Sequence, residues 1–213
     1  MIRISTKECY KTVASSGEAL LVEKKSKFIA TVRPVTCEQE ALDFLQAMRS
    51  EYSDATHNVY AYVIDENNIF RYSDDGEPSG TAGMPVLDTI RKEGIVDVAV
   101  VVTRYFGGTL LGTGGLVHAY GAAARMGLEN AGVVTRILCD IVSARVDYGL
   151  VGKMQHLIST SGYILEDTLY DSDVEFVVCL KNEQVKRFCD AVTELSCGRA
   201  IIKPLDKKYI DVK

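Results

Sequence analysis

From Val142 onward the apolar positions switch repeatedly between two spacings. Val142, Ala144 and Val146 alternate with polar residues, the period of a half-buried strand. After Gly149, the residues Leu150, Met154, Leu157 and Ile158 fall on one helical face, and Gly162 stops the segment. Two extended runs come next, 163–170 and 174–180, separated by the turn composition Asp171-Ser172-Asp173. A helix carrying Val185, Phe188, Cys189 and Val192 succeeds them, then Gly198 and a short strand around residues 200–202. The order β-α-β-β-α-β is the split-βαβ, ferredoxin-like plan.

The longer first part mixes the two periods. Residues 19–23 and 28–35 predict a hairpin around Lys24-Lys25-Ser26-Lys27, and residues 38–50 a helix with Leu42, Leu45 and Met48 as its stripe. Residues 59–64 and 69–72 flank Asp65-Glu66-Asn67-Asn68, a second hairpin signal. A helix is expected in 81–92, ended by Gly94. A strand buried on both faces is expected in 96–103, and a long helix from about Gly114 to Ala131. The fold class is therefore α+β in two domains, residues 1–136 and 137–213.

Composition narrows what such a chain does. It has 213 residues, 47% of them hydrophobic, enough for real cores. Its formal net charge of -5 argues against coating nucleic acid by bulk charge, but not against a local basic face. The most apolar stretch, 95–102, is broken by Asp97 and falls far short of the roughly 20 residues of a membrane span. The opening MIRISTKECYK lacks the apolar core of a signal peptide, so a soluble cytoplasmic protein is expected. The six cysteines form no C-x-x-C pair, and most sit in apolar periodicity, which predicts buried free thiols.

Two glycine-rich segments are the places where chemistry is expected. In 72–85, Asp74, Asp75 and Glu77 precede Ser79, Gly80 and Thr81 at a helix start. Carboxylates suit a hard cation such as Mg²⁺, and the helix's free N–H groups suit an anion. The competing reading is a turn with Ser79 or Thr81 as helix cap. In 103–120, Arg104 and the glycines Gly107, Gly108, Gly112, Gly114 and Gly115, with Thr113, follow a buried strand and open a helix. That is the context of a phosphate-binding loop. Neither a Walker A loop nor a Rossmann fingerprint is present, and close helix–sheet packing through Gly121, Ala122, Ala123 and Ala124 is the alternative. His57, His118 and His156 have no partner at triad spacing and read as solvated or core histidines; no catalytic residue is assigned.

Four stretches together, KSKFIA (25–30), ATHNVYAY (55–62), YSDDGEPSGTAGMPVL (72–87) and VVVTRYFGGTLLGTGGLVHAY (100–120), resemble the IMPACT family in its bacterial, YigZ-type form. His118 stands where that pattern has Arg or Lys, and Val59 where it often has Cys. The resemblance implies an amino-terminal domain like domain IV of elongation factor G, shared with GHMP kinases, and a carboxy-terminal domain like that factor's domain V. It also implies a non-catalytic, translation-linked regulatory module, whose partner is RNA, the ribosome or a translation-associated protein, without DNA-specific reading. Its basic contacts would be Lys24, Lys25, Lys27, Arg33 and Arg71, together with Arg104. A phosphate- or nucleotide-binding enzyme using Gly107–Gly115, and a protein-binding adaptor without RNA contact, are the alternatives.

Overall fold

The computed structural model describes residues 7–212, so the opening MIRIST segment lies outside the described residues. The chain divides into two compact units, one built on Tyr10–Thr135 and the other on Arg136–Ile210.

The first unit contains strands β1 (Cys9–Val13, all but its first residue), β2 (Gly17–Glu23), β3 (Ser26–Pro34), β4 (His57–Ile64), β5 (Ile69–Ser73) and β6 (Val98–Tyr105). Its helices are α1 (Glu38–Glu51), α2 (Gly83–Glu93) and α3 (Gly112–Ala131). Five strands form an antiparallel sheet in the order β2-β3-β6-β4-β5. Alternation along β3 decides which side chains meet which helices. Phe28, Ala30 and Val32 lie in one core with α2 and α3, as do Val59, Ala61, Val100 and Val102. On the opposite face, Tyr62, Ile64, Ala99 and Val101 form a second core with Ala41, Phe44 and Leu45 of α1. Every residue of β6 from Val98 to Arg104 is buried, as expected of a central strand covered on both faces.

The β2–β3 hairpin turns on Lys24 and Lys25 alone. Both have positive φ (45° and 68°), and Glu23 pairs with Ser26, the geometry of a two-residue type I′ turn. The α1 stripe is corrected by one position: Leu42 is 46% exposed, and Ala41, Phe44 and Leu45 are buried. Helix α3 explains its own small residues in part. A Cβ on Gly127 would lie 3.0 Å from Val32 Cγ2, and Ala119, Ala123 and Ala124 are buried in the same core.

The second unit has the expected order: the end of β7 (Val133–Val146), α4 (Val151–Thr160), β8 (Ile164–Tyr170), β9 (Val174–Lys181), α5 (Asn182–Leu195) and β10 (Ile201–Val212). β7 lies between β10 and β9, and β8 pairs the far side of β9. Numbered within the unit this is 4-1-3-2, the ferredoxin-like arrangement. Val142, Ala144, Phe176 and Val178 pack on Met154, Ile158, Phe188 and Val192 of the two helices. The last strand has twelve residues, far longer than the short strand expected around 200–202. All six cysteines are free, but only Cys139 and Cys179 are buried; Cys9 and Cys197 are exposed, so the expectation of mostly buried thiols is corrected. No described helix is long and apolar enough to cross a membrane.

Candidate functional site

The two glycine-rich segments meet. A cleft of about 390 Å³ in the first unit is lined by Glu77 and Pro78 from one, by Arg104, Phe106 and Leu110–Thr113 from the other, and by Thr56, His57 and Leu116. The sheet register builds its floor, because His57 at the start of β4 lies directly opposite Arg104 near the end of β6.

Beneath the cleft lies a buried polar network. Glu77 and Arg104 are 8% and 5% exposed. Arg104 Nη1 donates to Glu77 Oε1 at 2.5 Å, and the Tyr120 hydroxyl donates to the same oxygen at 2.7 Å. Tyr120 is fully buried, edge-on to Phe28 with ring centroids 5.1 Å apart. Burial first, and its bond to the Glu77 carboxylate second, raise its hydroxyl far above the ordinary tyrosine value. The Arg104 guanidinium also reaches Ser26 Oγ at 3.4 Å and lies 5.3 Å and 5.6 Å from the rings of Phe28 and Phe106. Its Nε is buried and makes no hydrogen bond. His57 Nδ1 sits 2.7 Å from the Asp75 carbonyl oxygen; a carbonyl only accepts, so Nδ1 carries the proton. In the neutral ring this leaves Nε2 as the free nitrogen, 3.9 Å from Glu77 Oε2.

The three carboxylates of the first segment do not converge. Asp74 accepts from the backbone N–H groups of Gly80, Ala82 and Gly83, which makes it the cap of α2 from well upstream. Asp75 accepts from the Asn58 N–H at 2.6 Å, while Glu77 holds Arg104. Among the described residues, no group of three His, Cys, Asp or Glu side chains is placed to hold a metal ion. The Mg²⁺ expectation on Asp74, Asp75 and Glu77 therefore gives way to capping and ion pairing. Ser79, Gly80 and Thr81 are likewise not part of the cleft lining. The Gly80 N–H serves the Asp74 cap, and the Thr81 hydroxyl donates to the Pro78 carbonyl.

The second segment behaves differently. Gly107 packs directly on the Lys25–Ser26 peptide, where a Cβ would fall 2.1 Å from the Lys25 carbonyl carbon; only glycine fits. Its N–H donates to Ser26 Oγ at 3.1 Å. Gly108 and Gly112 have φ of +79° and +76°, and Gly112 begins α3 with Thr113, Gly114 and Gly115 in its first turn. No side chain caps this helix. A Cβ at Gly114 would meet nothing within 4 Å, so packing does not account for that glycine as it does for Gly127.

The proposed basic face separates into two groups. Arg33, Ala99, Tyr62 and Arg71 share one row across β3, β6, β4 and β5. There Arg33 lies over Phe44 at 5.7 Å and Arg71 stands 3.9 Å from Glu38, both on the α1 side of the sheet. Lys27 pairs with Tyr105, six residues along β3 and about 20 Å away. Lys24, Lys25 and Lys27 are exposed at the cleft end, next to Gly107. Arg104 is buried in its pair with Glu77 and is not a surface cation. His57, expected as a solvated or core histidine, lines the cleft, and Tyr120, which the sequence does not single out, supports it; only strand register and helix packing bring the two to Glu77.

Comparison with known proteins matches this architecture. A family model described as the Impact N-terminal domain matches residues 24–128, and one described as a domain of unknown function (DUF1949) matches residues 145–199. The IMPACT family member YvyE of Bacillus subtilis (strain 168) is 41% identical over 203 residues, covering 95% of this chain and 94% of its own. The IMPACT family member YigZ of Escherichia coli (strain K12) is 32% identical over 178 residues, covering 82% of this chain and 87% of its own. A solved structure titled "Crystal structure of an hypothetical protein" aligns with a TM-score of 0.59 at 28% identity, over 94% of this chain and 98% of that one.

Proposed function

The chain belongs to the IMPACT family, and on that premise we propose that it is a non-catalytic, translation-linked regulatory module that binds RNA at the cleft end of its first unit. The observation that carries the reading is the contact of Gly107 with the Lys25–Ser26 peptide. It holds three exposed lysines beside a loop that carries an exposed aromatic ring, Phe106. Lysines that neutralise phosphates beside a ring that stacks on a base are the two elements of single-strand recognition. The net charge of -5 makes such binding local and salt-sensitive rather than a property of the whole surface. An enzymatic reading draws less support. Glu77 already accepts from both Arg104 and Tyr120, and Arg104 pairs it as a salt bridge, so it is not a free base.

The test uses a variant that keeps the turn and removes its charge. Asn-Gly is the favoured type I′ pair, so Lys24→Asn with Lys25→Gly preserves or strengthens the hairpin. Wild-type protein is expected to sediment with ribosomes through sucrose at low salt, to be released at moderate salt, and to lose association after RNase treatment. For single-stranded RNA, losing two phosphate contacts lowers the slope of log affinity against log salt by roughly 1.4. Association that survives RNase, or a double variant with unchanged affinity and slope, would replace RNA with a protein partner.

A further inference from the structure

Resting on the RNA reading for the source of its ligand, the geometry points to the base that the cleft selects, which is guanine. The cleft presents two unmatched hydrogen-bond acceptors, Glu77 Oε2 and His57 Nε2, 3.9 Å apart. Glu77 is only 8% exposed yet lines the cleft. Its Oε1 takes both internal donors, Arg104 and Tyr120, and no hydrogen bond from the described residues reaches Oε2. On His57 the Nδ1–H is spent on the Asp75 carbonyl, so Nε2 of the neutral ring holds a lone pair rather than a proton.

Two acceptors cannot bond each other, so the gap between them calls for donors from outside. Both atoms are open to one. Among the described residues, the side-chain atoms that are sealed and without a partner are Thr31 Oγ1, Arg104 Nε and Tyr163 Oη, and neither cleft acceptor is one of them. A carboxylate oxygen left unbonded at such low exposure is costly, and a donor that satisfies it is favoured accordingly. The Glu77 charge is already matched by Arg104 at 2.5 Å. The site therefore suits a neutral donor group rather than a cation.

Among the RNA bases, guanine alone carries two adjacent donors on its Watson–Crick edge, the ring N1–H and the N2 amino group. Adenine and cytosine set one amino donor beside a ring acceptor. Uracil flanks its single N–H with two carbonyl oxygens, which the Glu77 carboxylate repels. The two guanine donors lie side by side, and a slight divergence of their bonds brings them onto acceptors 3.9 Å apart. The rest of the wall suits a flat ring: Phe106 and Leu110, 47% and 82% exposed, offer it uncovered apolar surface. A volume of about 390 Å³ is at the low end for small-molecule sites and fits one nucleoside rather than a continuous strand. A free guanosine supplies the same chemistry as a guanosine within a chain.

Fluorescence anisotropy on the full-length protein tests this with a short oligouridine and the same RNA carrying one central guanosine, adenosine, cytidine or inosine. Inosine keeps N1–H and lacks the amino donor. Free guanosine and adenosine are compared by saturation-transfer NMR. The diagnostic variant is His57→Phe, which removes Nε2 and keeps a ring in place. A preference of at least ~10-fold for the guanosine RNA, largely lost with inosine and in His57→Phe, is the expected result. Guanosine binding in preference to adenosine, without any RNA binding, supports the pocket and overturns the RNA reading. Equal binding of all the RNAs, or preference for another base, overturns the guanine assignment and leaves the RNA reading intact. Inosine as good as guanosine, or a preference that survives in folded His57→Phe, overturns the assignment to these two acceptors. No RNA binding, with guanosine no better than adenosine, overturns both. Should His57→Phe fail to fold, the inosine comparison on wild-type protein decides in its place, because it removes a donor from the ligand instead of an acceptor from the cleft.

Discussion

The two units bury their interiors in opposite ways. In the second, Val142, Ala144, Phe176, Val178 and Phe188 make an apolar core, and the buried polar side chains of that unit are Ser143 and Ser196. In the first, Ser26, Asn58, Glu77, Thr81, Thr103 and Arg104 are all buried among equally apolar neighbours. Removing a carboxylate and a guanidinium from water carries a penalty that their attraction repays only when the geometry is good. A fold needs no such pair to stand, as the second unit demonstrates. The pair lies under the cleft where both glycine-rich segments meet, which is why the proposed binding is assigned to that end of the first unit.

The largest effects come from breaking each interior in its own manner. Glu77→Ala strands the Arg104 guanidinium in the core and is expected to cost about 3–5 kcal/mol. Phe188→Ala, which empties a fully buried ring position edge-on to Tyr163, is expected to cost a similar ~3–5 kcal/mol. Urea unfolding measures both, and ribosome association separates them: any folded fraction of Glu77→Ala should bind poorly, while folded Phe188→Ala should bind as wild type. The double change Glu77→Leu with Arg104→Met should recover most of the stability and none of the binding. If the double variant binds normally, the buried pair is framework after all.

A middle-sized effect concerns the acidic turn. Asp74 gathers three backbone N–H groups at the start of α2, so Asp74→Ala is expected to destabilise by ~2 kcal/mol, with Asp74→Asn recovering part through its remaining acceptor oxygen. The melting temperature of the wild type and of Asp74→Ala should respond alike to added Mg²⁺. A metal-dependent rise confined to the wild type would restore the cation reading that the diverging carboxylates displace.

How much of the molecule is legible in the chain depends on the range of the forces involved. The second unit's order is readable because alternation and helical stripes are local, and α5 shows Phe188 and Val192 buried where the stripe places them. Its last strand is not, because polar and apolar residues in 201–212 do not alternate cleanly and none of them is fully buried, so β10 is held by pairing with β7 rather than by a buried face. At the site, the loop glycines with Arg104 announce themselves by type and spacing. The misreading of Asp74, Asp75 and Glu77 comes from counting charges without their directions, since each carboxylate turns to a different donor within one short turn. His57 reads from the chain as a solvated or core histidine because its partnership with the cleft exists only through the β4–β6 register.

The smallest effect tests the contrast from the second unit's side, where ion pairs stay at the surface. Arg145 and Glu175 face each other across β7 and β9, Nη2 to Oε2 at 2.9 Å, with side chains 48% and 21% exposed. The hydrogen bond from Arg145, and after it one from Ser143, hold the Glu175 carboxyl below its usual range against the opposing effect of burial. A folded value below the unfolded one means that the unfolded chain binds more protons between the two. The stabilisation is therefore present above the ordinary glutamate value of about 4.3 and is lost as the pH falls through the folded one. Arg145→Ala removes the larger cause and leaves Ser143, so the Glu175 midpoint, followed by carboxyl carbon NMR, should rise part of the way towards its ordinary value. Added salt should raise the wild-type midpoint in the same direction, because a half-exposed pair is screened. A Glu175 midpoint indifferent to both changes would mean that Arg145 contributes nothing there.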